Sequence, residues 1–162
     1  MRTPIYDFVK GYIESNTSRL HMPGHKGNSL LGIEYMDITE IKGADSLYEA
    51  DGIIKESEEN AGALFGANTF YSTEGSSHCI RAMLYTALIN TDKKPVIVAA
   101  RNVHKSFIYA CAALDIDTEW IYPENSNSLC GGAITAKEAE GVIKKYNPFA
   151  LYVTSPNYLG EI

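Results

Sequence analysis

Val96-Ile97-Val98-Ala99-Ala100-Arg101-Asn102-Val103-His104-Lys105-Ser106 is five apolar residues running into a polar turn, and helical spacing continues from that turn to about Leu114. That is a strand, a turn and a helix start in eleven residues. The same order recurs along the chain. Thr69 to Ser72, Glu119 to Tyr122 and Ala150 to Thr154 are further short apolar runs of strand type, each followed by polar turn residues. Helical spacing covers Ser76 to Ile89, His104 to Leu114 and Thr135 to Tyr146, with Ser76, His104 and Thr135 near the N-terminal ends. Strands alternating with helices predict an α/β fold with a parallel sheet and crossover helices. Two more helices are expected over about Ile5 to Ser15 and over Ile53 to Phe65, the latter stopping at Gly66. Leu20 to Gly52 is punctuated by glycine and reads as irregular, and Asn125 to Gly132 reads as a polar loop. The expected division is an N-terminal helical segment (1–19), an irregular linker (20–52), and the front part of a larger ligand-binding domain (53–162). The last strand lies only a few residues before Ile162, so the chain reads as the leading portion of a longer fold.

Ligands of open parallel sheets sit at the carboxyl ends of the strands. Three polar stretches fall at such ends: Ser72-Thr73-Glu74-Gly75-Ser76-Ser77, Arg101 to Ser106, and Thr154-Ser155-Pro156-Asn157-Tyr158. In the first, a glycine-serine turn opening a helix aims backbone N–H groups, hydroxyls and the positive helix end at one spot, which suits a phosphate. A plain helix start with a serine cap is the competing meaning. His104 follows Gly75 by one strand-and-helix unit, so adjacent strand ends set both on one rim. Alone, it reads as a capping or surface histidine. Paired, the two suggest a phosphorylated, planar cofactor such as pyridoxal phosphate. No Walker A string and no spaced-glycine dinucleotide fingerprint occur, which makes a nucleotide the weaker reading. Lys105 is a poor Schiff-base candidate, because successive positions at a helix start point about 100° apart.

Composition narrows the remaining classes. At 162 residues, 45% hydrophobic and 21% charged, the chain is of ordinary globular make-up and can hold a real core. A formal charge of −6 disfavours nucleic acid as a partner. No membrane partner is expected either, and the expected location is the cytoplasm. Cys79, Cys111 and Cys130 are odd in number and widely spaced, which suggests neither disulfides nor zinc; two of them are expected in helix cores. His21 and His25 stand four apart, but Pro23 and Gly24 between them argue against a helical metal pair, so no metal site is expected. His25 and Lys26 are instead candidates to face a polar ligand, a partner subunit or solvent. Glu40, Asp45, Glu49 and Asp51 read as a solvated acidic face. Tyr48, Tyr71, Tyr122 and Tyr158 read mostly as amphipathic packing residues.

Taken in order, Met22-Pro23-Gly24-His25-Lys26-Gly27, Asp37-Ile38-Thr39-Glu40-Ile41, Gly43-Ala44-Asp45-Ser46-Leu47, the Arg101 to Ser106 string and Ser155-Pro156-Asn157-Tyr158 resemble the Orn/Lys/Arg decarboxylase family from about residue 20 onward. Within it the pattern is most like the shorter bacterial arginine decarboxylases. The resemblance implies a partial pyridoxal-phosphate transferase-like (fold type I) major domain, homodimeric or larger in complete form, acting on a basic amino acid. It implies that Gly75, Ser76 and Ser77 hold the cofactor phosphate, that His104 stacks on the ring, and that Ser155 lies near the cofactor rim. Family members often carry Thr where Asn157 stands, and Asn or Gln where Glu74 stands. The family's Schiff-base lysine and the Asp facing the pyridine nitrogen come after the Ser-Pro-x-Tyr region. Neither stretch is in these residues, so no catalytic residue is assigned and the chain alone is expected to be inactive. Another enzyme of the same fold, such as an aminotransferase or desulfurase-like lyase, and a lysine-less binding or regulatory relative are the alternatives.

Overall fold

The computed structural model describes residues 2–123 and 131–162. The polar loop expected from Asn125 lies outside them up to Cys130. Two compact units divide after Tyr71.

In the first unit, helix α1 (Pro4–Glu14) begins with a proline in its first turn, where the missing N–H costs nothing. Asp7 folds back onto the Thr3 N–H at 3.2 Å and the Thr3 hydroxyl at 3.0 Å. Helix α2 (Ile53–Phe65) ends on Gly66, whose left-handed conformation (φ 68°) lets its N–H reach the Gly62 carbonyl. Between them the chain is irregular, with short 3-10 turns at Glu34–Met36 and Leu47–Glu49. Two carboxylates organise this stretch. Glu34 accepts the N–H groups of Leu30, Leu31, Gly32 and Ile33. Asp45 accepts those of Ser46, Asp51, Gly52 and Ile54. Asp45 is therefore no solvated charge: α2 has no cap on its own N-cap residue, Gly52, and Asp45 supplies the acceptor from seven residues away.

The second unit comprises α3 (Ser76–Ile89), β1 (Val96–Ala100), α4 (Lys105–Ala113), β2 (Asp117–Ile121), α5 (Ala136–Tyr146) and β3 (Ala150–Tyr152). The strands are parallel in the order β2-β1-β3, with Val98 opposite Glu119 on one side and Leu151 on the other. This is the expected α/β class. Central β1 is sealed on both faces, with Ile97, Val98 and Ala99 wholly buried. Ile97 and Ala99 meet Leu84, Phe107, Ala110 and Cys111; Val98 meets Ile121 and Ala139 on the opposite face. Phe107 packs 4.4 Å from the Tyr152 ring centroid and edge-on to Trp120 at 6.2 Å. Helix α5 starts with a full capping box between Thr135 and Glu138.

Four expectations need correction. Thr69 to Ser72 is not a strand, because its backbone has no ladder partner among the described residues; the Tyr71 N–H goes to the Glu58 carboxylate at 2.7 Å. The last strand stops at Tyr152 rather than Thr154, where its pairing with β1 runs out at Ala99. Cys111 is buried as expected, but Cys79 is exposed on α3, whose only fully buried residue is Leu84. Tyr48, Tyr122 and Tyr158 stand largely in solvent rather than in packing.

Candidate cofactor site

Gly75 is the N-cap of α3 at φ 70° and ψ −173°, a region open to glycine and almost nothing else. A Cβ there would meet no atom within 4 Å, so the backbone dihedrals rather than crowding demand glycine. Gly75 has no side chain of its own with which to cap α3. The hydroxyls of Ser76 and Ser77 stand in the first turn of this fourteen-residue helix, where the His78 N–H reaches the Gly75 carbonyl at 3.2 Å. Glu74, the charge least welcome at an anion site, is turned along the helix to His78, 3.0 Å from its Nδ1.

One unit later, His104 is the N-cap of α4. Its Nδ1 accepts the Ser106 N–H at 3.2 Å, and the ring is exposed beyond that contact. The Ser106 hydroxyl lies 2.9 Å from His104 Nδ1 and 2.7 Å from Ser77 Oγ. A continuous polar chain Ser77–Ser106–His104 therefore joins the two stretches that sequence spacing had paired. Ser106 itself, 7% exposed, was missed. Its only signal is position: two residues past a histidine that caps a helix, a hydroxyl is carried to that histidine's ring nitrogen. Lys105, adjacent to both, is exposed.

Ser155 lines a cavity of about 250 Å³ beyond the ends of β1 and β3, with Ala100, Asn102, Ile134, Ala139 and Leu151. Among the described residues it makes no hydrogen bond to Ser77, Ser106 or His104. Asn102 Oδ1 in this region is buried without a hydrogen-bond partner among the described residues. Asn157 is buried and fully engaged: its side-chain oxygen accepts the Leu159 and Glu161 N–H groups, and its amide donates to Glu161. Burial pushes the Cys111 thiol up, against a Thr118 hydrogen bond that lowers it, so this cysteine is an inert core residue.

His25 and Lys26 lie in the first unit. His25 Nδ1 accepts the Gly27 N–H at 3.0 Å and its Nε2 stands 3.7 Å from Asp37. The Lys26 ammonium turns back to the His21 carbonyl, while His21 Nε2 meets the Tyr12 hydroxyl at 2.8 Å. His25 Nε2 is buried without a hydrogen-bond partner among the described residues, whereas Lys26 and His21 are held within the loop and by α1.

Residues 3–147 match the family described as Orn/Lys/Arg decarboxylase, major domain. The chain belongs to that family. It is 30% identical to the arginine decarboxylase of Bacillus subtilis (strain 168) and 30% identical to that of Halalkalibacterium halodurans, in each case over 98% of its own length. The arginine decarboxylase of Bacillus anthracis is 29% identical over the same share. The chain spans about a third of the length of these curated relatives, 34% in each case. A helix start bearing two serines is thus hydroxyl-linked to an exposed helix-capping imidazole. Among the described residues, no helix is long and apolar enough to cross a membrane.

Proposed function

We propose that this chain is the cofactor-holding part of a pyridoxal-phosphate-dependent decarboxylase of basic amino acids, functioning as a homo-oligomer in the cytoplasm. The observation that carries the proposal is the Ser77–Ser106–His104 chain, which ties an anion-ready helix start to an exposed imidazole. Gly75, Ser76 and Ser77 hold the phosphate through backbone N–H groups and hydroxyls of the α3 start. Capping of α4 holds the exposed His104 ring in place for stacking. When bound, pyridoxal phosphate supplies an electron sink for the charge left as carbon dioxide departs. Ser155 lies at the rim of the site. His25 and Lys26 serve the substrate or a neighbouring subunit. The names of the relatives make arginine the first amino acid to test.

Titration of the 162-residue chain with pyridoxal phosphate and with inorganic phosphate tests this assignment. His104→Ala and Ser76→Ala should each weaken cofactor binding; unchanged binding in both rejects the site. Mixed with the cofactor and arginine, the chain should release no carbon dioxide, because the sequence carries no Ser-x-His-Lys stretch. Sustained release would overturn its role as a holding part.

A further inference from the structure

We infer that Ser106 is a positioning residue that reports occupancy of the anion site to the ring nitrogen of His104. Its use for a cofactor rests on the function proposed above; the joint itself does not.

Ser106 is buried, so its hydroxyl should be satisfied internally, and it owns one proton to give. Two acceptors compete for it: His104 Nδ1 at 2.9 Å and Ser77 Oγ at 2.7 Å. The Ser106 backbone N–H already points at Nδ1, which makes that nitrogen an acceptor and puts the proton of the neutral ring on Nε2. Two arrangements remain. In one, Ser106 donates to Nδ1 and Ser77 donates to Ser106, so the Ser77 proton points away from the mouth of α3. In the other, Ser106 donates to Ser77, and the Ser77 proton is released toward the mouth. An anion at the start of α3 accepts hydrogen bonds and gives none, so it selects the second arrangement. His104 Nδ1 is then left with the backbone N–H alone. The phosphate end of the site and the imidazole thereby share one mobile hydrogen bond, relayed by a serine that touches neither phosphate nor ring face.

The chain contains four histidines, so 15N-histidine labelling gives a resolvable spectrum, with His104→Asn to assign the signal. Without ligand, Ser77→Ala removes the competing acceptor. It should shift the His104 Nδ1 resonance in the wild-type background and leave it unmoved in a Ser106→Ala background. Equal shifts in both backgrounds, or none in either, overturn the inference. If Ser106→Ala does not fold, Ser77→Thr serves instead: restoring the hydroxyl at this exposed position should return the resonance to its wild-type place, and failure to do so rejects the joint. With inorganic phosphate, the wild-type resonance should shift on titration. Ser77→Ala should weaken phosphate binding by about tenfold, the worth of one hydrogen bond to a charged group. Ser106→Ala should still bind phosphate but lose the Nδ1 response. Phosphate binding that leaves Nδ1 unmoved in the wild type overturns the relay. A ligand-free shift with no phosphate binding at all supports the joint and overturns the cofactor reading.

Discussion

Ser77 Oγ stands 2.7 Å from Ser106 Oγ, so the first turns of α3 and α4 meet through one hydroxyl pair although they are 29 residues apart in the chain. Strand β1 makes this possible. It runs buried between the two helices in sequence, delivers the turn at its carboxyl end, and is fixed in register by β2 and β3 on either side. Both helix starts therefore open toward the same rim, and the contact between them ties the candidate cofactor site to the core rather than to a free loop.

Gly75 sets the direction in which α3 starts, at dihedrals an L-residue avoids. Gly75→Ala should cost about 1 to 3 kcal/mol of stability in the second unit, since there is space for the methyl group but strain in the backbone. Urea unfolding followed by the fluorescence of Trp120, the single tryptophan, measures this. The variant should also lose phosphate affinity, because relieving the strain turns the N–H groups away. A variant with wild-type stability would show that the turn adopts other dihedrals in solution.

Phe107 comes directly after Ser106 and anchors the same turn of α4 from below, wholly buried between Tyr152 and Trp120. Phe107→Ala should destabilise by about 3 to 5 kcal/mol. Trp120 emission should shift to the red as its edge contact is lost. Loss of the core contact should also loosen Ser106, so phosphate binding is expected to fall even under conditions where the variant is folded. Unaltered Trp120 emission would place the ring outside the core.

The elements that were legible in the sequence are those whose cause is local. The apolar run at Val96, the cap at Thr135 and the stop at Gly66 each act within a turn of the residues they organise, and all three stand where the pattern put them. Thr69 to Ser72 has the pattern of a strand but not the neighbour that would make it one, and a neighbour is a long-range fact. Asp45 looked like one acid among several until its reach to Gly52 and Ile54 was visible. The apolar residues of α3 surround the helix, so spacing could not tell that Leu84 turns inward while Cys79, Met83 and Tyr85 face out. In the site, Gly75, Ser77 and His104 were legible as a pair of stretches on one rim. Ser106 was not, because its role is defined by a partner 29 positions away. Ser155 was placed near the rim by the family resemblance, and the turn beyond Tyr152 sets it in the cavity that Asn102 also lines.

Glu34 and Asp45 give the first unit a dependence on pH with a definite sign. The backbone N–H of Glu34 itself, the Ser29 hydroxyl and the N–H groups of Leu31 and Ile33 lower the Glu34 carboxyl from 4.5 to about 2. Partial burial works to raise Asp45, but the N–H groups of Asp51, Ser46, Gly52 and Ile54 outweigh it and hold it well below the ordinary carboxylate range. A folded-state value below the unfolded one means that the stabilisation is present above the ordinary value and is lost as pH falls toward the folded one. For Glu34 that window runs from about 4.5 down to about 2. Amide signals of Leu31 and Gly32 should hold their positions down to pH 4.5 and move only below it. Glu34→Gln should abolish that step, and Asp45→Asn should loosen the start of α2 at neutral pH. A midpoint at the ordinary glutamate value in the wild type would mean that the carboxylate does not organise the loop.

His104 does two jobs, and substitution can separate them. Its Nδ1 caps α4, a task that asparagine performs well, whereas a flat aromatic ring for stacking is something asparagine lacks. His104→Ala should lose both, at a cost of about 1 kcal/mol in stability together with weaker cofactor binding. His104→Asn should keep near wild-type stability and inorganic phosphate binding, since the turn at Gly75 to Ser77 is untouched, while affinity for pyridoxal phosphate falls. The comparison of phosphate with its pyridoxal ester therefore isolates the contribution of the ring. If His104→Asn binds both as the wild type does, the imidazole is only a helix cap and the cofactor ring is held by other residues.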